Sequence, residues 1–469
     1  MKNTFKLMMG FCVVSFSVGF LCLFISQSQA AEINHPFKST STFNATNLKA
    51  QPLQSSNLKQ PNYDYYDYIV VYPTLDVPNY KTVSLKLIRV DSQLGISSPG
   101  IVLYQTSNPS YYYFKDIRIN KDFAGLTYIT FEEAVGRIIP AFHEIVIPSL
   151  QSPKNFIHRI ITFPPNIGGI VGCDQAINPT TIEQYYFCGV VVSYNNVPVP
   201  YLEIWLGKSQ NFAVQPIWTK IYTVTQSGDV PSGIALFYDP KLNELLLRFQ
   251  TNWFSKPPAS QTIYEMSVDP QTLAIKNQPQ IISGSNTVNS VGMPARYSPA
   301  IHAMSFPRQE PPAIGAHFQA KIAGAWQTLL SVADAVEVEI MGTVDSNLPP
   351  ELFFLTTRLT WGGTYGANDI TGYIFSGPPF YQSLQQVPIG QVNNPNQERY
   401  GFAATLKRRY SSNVPIAVLY ADTSLNKQKI LFSTGDTLTG IFTSLKAVHS
   451  IDQNKEIISP EQLAVETIP

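Results

Sequence analysis

The sequence predicts an all-β protein, and three observations carry that prediction. Runs of about four to nine apolar or alternating residues, rich in Val, Ile, Tyr and Phe, follow one another along most of the chain. The composition suits short strands joined by Pro-rich loops: 25 Tyr, 27 Phe and 36 Pro accompany only 14% charged residues. Strand openings at Tyr186, Gly233, Pro299, Glu351 and Tyr400 recur at roughly 50-residue steps with about four strands each, the pattern of β-propeller blades.

Taken in order, the chain opens with a signal-peptide pattern. Lys2 and Lys6 precede an apolar run from Leu7 to Ile25, and Ser28-Gln29-Ala30 closes it with small residues at the cleavage positions. Residues 1–30 are therefore expected to leave, with Ala31 beginning a secreted, periplasmic or cell-surface protein that has no further membrane span. Residues 31–62 are polar and poor in large apolar side chains, so they read as a flexible leader. Residues 63–448 carry the strand series, from "YIVVYP" and "TVSLKLIRV" through "YYFCGVVVSY" and "NELLLRFQ" to "IAVLYA" and "KILFST". Asp239-Pro240 and Asp269-Pro270 are expected turn starters, because Pro sets φ while Asp bonds back to the backbone. Two segments read as helix candidates: "ITFEEAVGRIIPAF" at 129–142, limited by Pro140, and "GAWQTLLSVADAV" from Gly324 to Val336. Residues 449–469 read as a C-terminal tail with at most one short helix.

Charge excludes some partners. Without Lys2 and Lys6 the chain carries two more acidic than basic residues, so no nucleic-acid or anionic-membrane partner is expected. Cys12 and Cys22 depart with the signal. Cys173 and Cys188 remain, a single pair in an exported chain, and a disulfide is expected between them.

The segments "ALFYDPKLNELLLRF" and "MSVDPQTLAI", at the roughly 50-residue spacing, resemble exported β-propellers of the sialidase-like, carbohydrate-active type. The resemblance covers residues 64–446 and is architectural: the Asp-box Ser-x-Asp-x-Gly-x-Thr-Trp is absent, as are the WD and kelch signatures. It implies six or seven four-stranded blades, with tandem β-sandwich domains as the alternative.

Motifs that carry chemistry are sparse. His143-Glu144 lacks the second His of a zinc protease, the six His show no ligand spacing, and no calcium loop appears, so no metal or cofactor is expected. His302 and His317 fall in neighbouring strands. No Gly-x-Ser-x-Gly elbow is present, and "NIGGIVG" at 166–172 reads as a turn. Glycoside hydrolysis needs two carboxylates facing one cleft. Asp67, Asp116, Glu203, Glu265, Glu351 and Asp369 lie at or near strand ends, and no pair among them is singled out. Arg248, Arg296 and Arg358 in successive units have the donor geometry that clamps a carboxylate. Trp253, Trp326, Trp361 and Tyr365 offer flat rings for sugar faces, with Trp361 and Tyr365 set among Gly362, Gly363 and Gly366. The candidate ligand-binding residues are therefore Trp361, Tyr365, Arg296, Arg358 and Trp253. The favoured function is binding of an extracellular glycan or surface protein, and the alternative is a sialidase-like hydrolase with paired carboxylates.

Overall fold

The computed structural model describes residues 66–76, 82–107, 112–121, 125–135, 138–163, 169–178, 181–192, 201–224, 234–239, 242–251, 262–284, 301–305, 315–322, 325–333, 335–342, 352–359, 368–376, 383–391, 399–404, 413–422, 427–436, 439–451, 455–456 and 464–467. The expected signal and the leader lie outside them. Among the described residues the strands form seven antiparallel sheets.

Sheet 1 contains β1 (Tyr68–Asp76), β2 (Thr82–Asp91), β3 (Ile96–Ser97) and β4 (Ile101–Ser107). Sheet 2 contains β5 (Tyr112–Lys121), β6 (Thr127–Val135), β7 (Ile138–Ile147) and β8 (Ile157–Ile161). Sheet 3 holds β9 (Gly169–Ile177), β10 (Gln184–Val192), β11 (Tyr201–Ser209) and β12 (Ile217–Val224). Sheet 4 holds β13 (Ile234–Asp239), β14 (Glu244–Thr251), β15 (Thr262–Val268) and β16 (Ile275–Gly284). Sheet 5 has β17 (Ile301–Ser305), β18 (Gly315–Ile322) and β19 (Ala325–Ala333). Sheet 6 has β20 (Ala335–Gly342), β21 (Leu352–Leu359), β22 (Asn368–Ser376) and β23 (Ser383–Gln391). Sheet 7 has β24 (Arg399–Ala404), β25 (Asn413–Asp422), β26 (Lys427–Asp436), β27 (Ile441–Phe442) and β28 (Lys446–Ser450). Two further strands, β29 (Lys455–Glu456) and β30 (Ala464–Thr467), return to pair with β1.

That return makes the fold a β-propeller. β30 becomes the leading strand of sheet 1, and leading strands adjoin one another: β5 meets β9, β9 meets β13, β17 meets β20, β20 meets β24, and β30 bridges β24 and β5. The last strand of the chain thus completes the first sheet, which is how propellers dispose of open sheet edges at the seam. Residues expected to be a tail are therefore structural: Tyr68 to Val71 pair with Thr467 to Ala464.

Burial follows position within a sheet. β1 and β13 are covered on both faces, so "YIVVYP" and "IALFYD" are buried throughout, and "YIVVYP" and "IALFY" read as unbroken apolar runs. β8 and β12 are last in their sheets, and their residues are mostly exposed or half-buried. Apolar side chains fill the seams between sheets. Tyr185, Phe187 and Leu206 of sheet 3 pack in one cluster with Leu236, Leu247 and Phe249 of sheet 4. Ile139, Phe142 and Ile161 of sheet 2 cluster with Ile170, Tyr186 and Val190 of sheet 3. Each such large side chain contributes about 1.5–3 kcal/mol by leaving water.

The Asp-Pro turns form as expected. Asp269 Oδ1 accepts from the backbone N–H of Gln271 (2.9 Å) and Thr272 (2.8 Å), and Asp239 Oδ1 accepts from that of Leu242 at 3.2 Å. Both helix candidates are strands instead. The 129–142 segment forms the β6–β7 hairpin, and the 324–336 segment supplies β19 and the start of β20. The reason is pairing on both sides: β6 lies between β5 and β7, so its acidic doublet sends one side chain to each face. Glu132 faces sheet 3, where its Oε1 accepts from the Cys173 N–H at 2.5 Å, while Glu133 meets Tyr104 of sheet 1. His143 and Glu144 on β7 divide in the same way.

Candidate functional site

Polar side chains concentrate in the seams on either side of sheet 2. Four residues stand in register across that sheet: Arg118 on β5, Thr130 on β6, Glu144 on β7 and Arg159 on β8. All but Arg159 are buried, and the row lies against sheet 3. Arg118, 1% exposed, forms an ion pair with Asp174 on β9. Asp174 Oδ2 also accepts from the Leu236 N–H at 2.7 Å, which ties sheets 2, 3 and 4 through one carboxylate. Farther along the row, Glu144 accepts from Arg159 Nε at 2.5 Å, from the Tyr186 hydroxyl at 3.0 Å and from Gln175 Nε2. Arg159 Nη2 donates to Gln184 Oε1 (2.8 Å) and to the Tyr186 oxygen (2.6 Å). Burial raises the Glu144 carboxyl above the usual range against the pull of Arg159, and burial likewise raises the Tyr186 hydroxyl.

The opposite face of sheet 2 carries a different cluster. His143 is fully buried; its Nε2 lies 3.0 Å from Glu133 Oε2 and its Nδ1 lies 2.9 Å from Nε2 of His158. Phe131 stacks on the His143 ring at 4.6 Å, and Tyr104 covers both imidazoles. In the seam between sheets 1 and 7, His449 lies between Ser97 Oγ (2.8 Å from Nδ1) and the Tyr72 hydroxyl (3.1 Å from Nε2).

Three of the six carboxylates expected near a cleft have side chains among the described residues, and each is engaged within the fold. Asp67 accepts from Ser92 N–H at 2.8 Å. Glu203 accepts from Trp205 Nε1 (2.9 Å) and Lys220 Nζ (3.0 Å). Glu265 is held by Arg248 Nε and Nη2, both at 2.5 Å, and the Arg248 guanidinium lies 5.1 Å above the Trp326 ring. Arg248 is thus a link between sheets 4 and 5. Glu351 and the side chains of Asp116 and Asp369 lie outside the described residues.

Of the candidate ligand-binding residues, Trp253, Arg296, Trp361 and Tyr365 lie outside the described residues. Arg358 is on β21, opposite Ala335 and Asp369. His302 and His317 fall on β17 and β18 and are not direct partners, since His302 pairs with Gln319 and Met304 with His317. Cys173 and Cys188 are direct partners across β9 and β10, both buried, with thiol sulfurs 2.7 Å apart and no bond joining them in this structure. Burial raises the Cys188 thiol. The Glu133–His143–His158 cluster leaves no mark in the sequence because its members are 10 and 15 residues apart, and only the β6–β7–β8 pairing makes them neighbours. Among the described residues no helix is long and apolar enough to cross a membrane.

No protein-family model and no curated protein matches the sequence. Among solved structures, the chain is similar to a protein of unknown function from Dyadobacter fermentans, at 9% identity and a TM-score of 0.44, covering 67% of this chain and 92% of that one. It is also similar to an α-L-arabinofuranosidase of Fusarium graminearum, at 10% identity and a TM-score of 0.42, covering 79% and 99%. A periplasmic gluconolactonase of Pseudomonas aeruginosa matches at 11% identity and a TM-score of 0.43, over 86% of this chain and the whole of that one.

Proposed function

We propose that the protein is an exported β-propeller that binds a glycan or a surface protein, with Trp361, Tyr365, Arg296, Arg358 and Trp253 as its ligand-binding residues. One observation supports binding over glycoside hydrolysis. The carboxylates Asp67, Glu144, Asp174, Glu203 and Glu265 are all bound by cations, hydroxyls or backbone N–H groups of the fold itself. A glycosidase needs two carboxyls about 5–10 Å apart across an open site, one of them ready to give a proton. The signal pattern of residues 1–30 supports export.

The test is a glycan array probed with the chain from Ala31 onward. The expected result is retention on at least one glycan class, with Trp361→Ala weakening it tenfold or more, about 1.4 kcal/mol. Release of free sugar from the bound glycan would replace the binding reading with the hydrolytic one.

The cysteine pair belongs to the same proposal. Closing a loop of about 15 residues between Cys173 and Cys188 would stabilise the fold by roughly 3 kcal/mol on the loop-entropy model. Thiol titration of the denatured, exported protein is expected to find no reactive thiol before reduction and two afterwards. Two thiols before reduction would reject the disulfide.

A further inference from the structure

The strongest unassigned chemistry lies in the seam between sheets 1 and 2, and it goes beyond the binding reading without depending on it. Glu133, His143 and His158 run from the buried middle of sheet 2 to its outer strand. His143 is sealed from water, whereas His158 is exposed. The facing nitrogens of the two imidazoles are 2.9 Å apart while the ring centres are 5.2 Å apart, and the planes differ by 7°. With the two nitrogens lying between the centres, the rings are end to end and coplanar. A metal ion between them would spread the nitrogens and bend the approach, because each zinc–nitrogen bond alone takes about 2.0–2.1 Å. The geometry is that of a shared proton.

Charge sets the direction of that proton. Burial pushes the Glu133 carboxyl up, but hydrogen bonds from His143, Thr106 and Tyr104 act against it, and the group is held below its ordinary range and ionised. An ionised carboxylate only accepts. His143 Nε2 therefore donates to Glu133, which leaves Nδ1 of neutral His143 as an acceptor for the Nε2 proton of His158. The second nitrogen of His158, Nδ1, then carries a lone pair on an exposed side chain. When Nδ1 takes a proton, the Nε2 proton can pass inward to Nδ1 of His143, carrying the positive charge toward Glu133. Burial and the neighbouring His143 lower the tendency of His158 to hold that charge itself.

We propose that Glu133, His143 and His158 form a proton relay whose exposed end, Nδ1 of His158, is the general base of an ester-hydrolysing site. The substrate class follows from what surrounds it. Glycosyl transfer calls for paired carboxylates and phosphoryl transfer for cationic clamps. A neutral imidazole by itself suits attack of water on an uncharged ester. Ile160, 50% exposed, stands on the same side of β8 as His158 and offers an apolar shelf for an acyl or aryl group. In the reaction, Nδ1 takes a proton from water as the water oxygen bonds to the acyl carbon. The bond from that carbon to the leaving oxygen then breaks, and the departing alkoxide takes the proton back from His158. Ester and water become acid and alcohol, and the relay returns to its first tautomer. His158 is the catalytic residue; His143 and Glu133 are positioning residues.

The experiment follows release of 4-nitrophenol from 4-nitrophenyl acetate by the chain from Ala31 onward. The expected result is a rate above that of an equal concentration of imidazole, lowered roughly 100-fold or more in His158→Gln, as for loss of a general base. Because His158 is exposed, that variant keeps its fold, which far-ultraviolet circular dichroism checks. Nitrogen-15 NMR reads the positioning directly: His158 is expected as the Nε2–H tautomer, and Glu133→Gln erases that preference while lowering the rate. A His158→Gln variant as active as the parent, or an Nδ1–H tautomer in the parent protein, overturns the proposal. Either result leaves the glycan-array test untouched.

Discussion

Replacing Asp174 with leucine lowers the free energy of unfolding by about 3–5 kcal/mol, the cost of removing one partner of a buried ion pair. Arg118 is 1% exposed and Asp174 is fully buried, so solvent offers the guanidinium little in place of the lost carboxylate. The same substitution strips the Leu236 N–H of its 2.7 Å acceptor, so sheet 4 loses its tie to sheet 3 as well. Urea unfolding followed by tryptophan fluorescence measures the loss as a lowered midpoint. Asp174→Asn is expected to cost less, since its side-chain oxygen still accepts from Leu236. The double variant Arg118→Met, Asp174→Leu recovers much of the loss, because an apolar pair can replace a buried ionic one at little net change. A single Asp174→Leu variant within about 1 kcal/mol of the parent would show that the pair contributes nothing to the seam.

Ending the chain at Ser459 has a still larger effect, because it removes β30. Tyr68, Ile69, Val70 and Val71 are at most 1% exposed and lose the strand that pairs with them. Leaving buried backbone groups of that strand without partners, at about 1–3 kcal/mol each, approaches the whole stability of an ordinary domain. The truncated protein is expected to lose cooperative unfolding, to bind an apolar dye and to be cut rapidly by proteases. A peptide from Pro460 to Pro469, added in excess, is expected to restore part of the cooperative transition. Cooperative melting of the truncated chain at the parent temperature would mean that sheet 1 stands without its leading strand.

Much of the fold is legible in the sequence because burial on both faces writes itself into composition. "YIVVYP" and "IALFY" are unbroken apolar runs since β1 and β13 are covered on both faces. The Asp269 and Asp239 turns are legible for a local reason: the bonds they make reach no farther than three residues. What escapes reading depends on distant partners. Glu132-Glu133 and His143-Glu144 look like helical or metal-binding doublets until alternation divides each pair between two seams. The segment "LAVET" reads as tail because it is too short to stand out alone. Only the buried edge of β1, at the other end of the propeller sequence, makes it a strand. Arg248 reads as a substrate clamp because the sequence shows its charge but not the Glu265 that already occupies it.

The row that begins at Arg118 has a consequence for motion. Arg118 holds Asp174, Asp174 holds Leu236, and Glu144 holds Tyr186 and Gln175, so sheets 2, 3 and 4 are fastened to one another by bonds that no single sheet can release alone. Opening any one of them exposes a buried charge. These three sheets should therefore breathe as a single cooperative unit, and their backbone amides should exchange with solvent deuterium together rather than blade by blade.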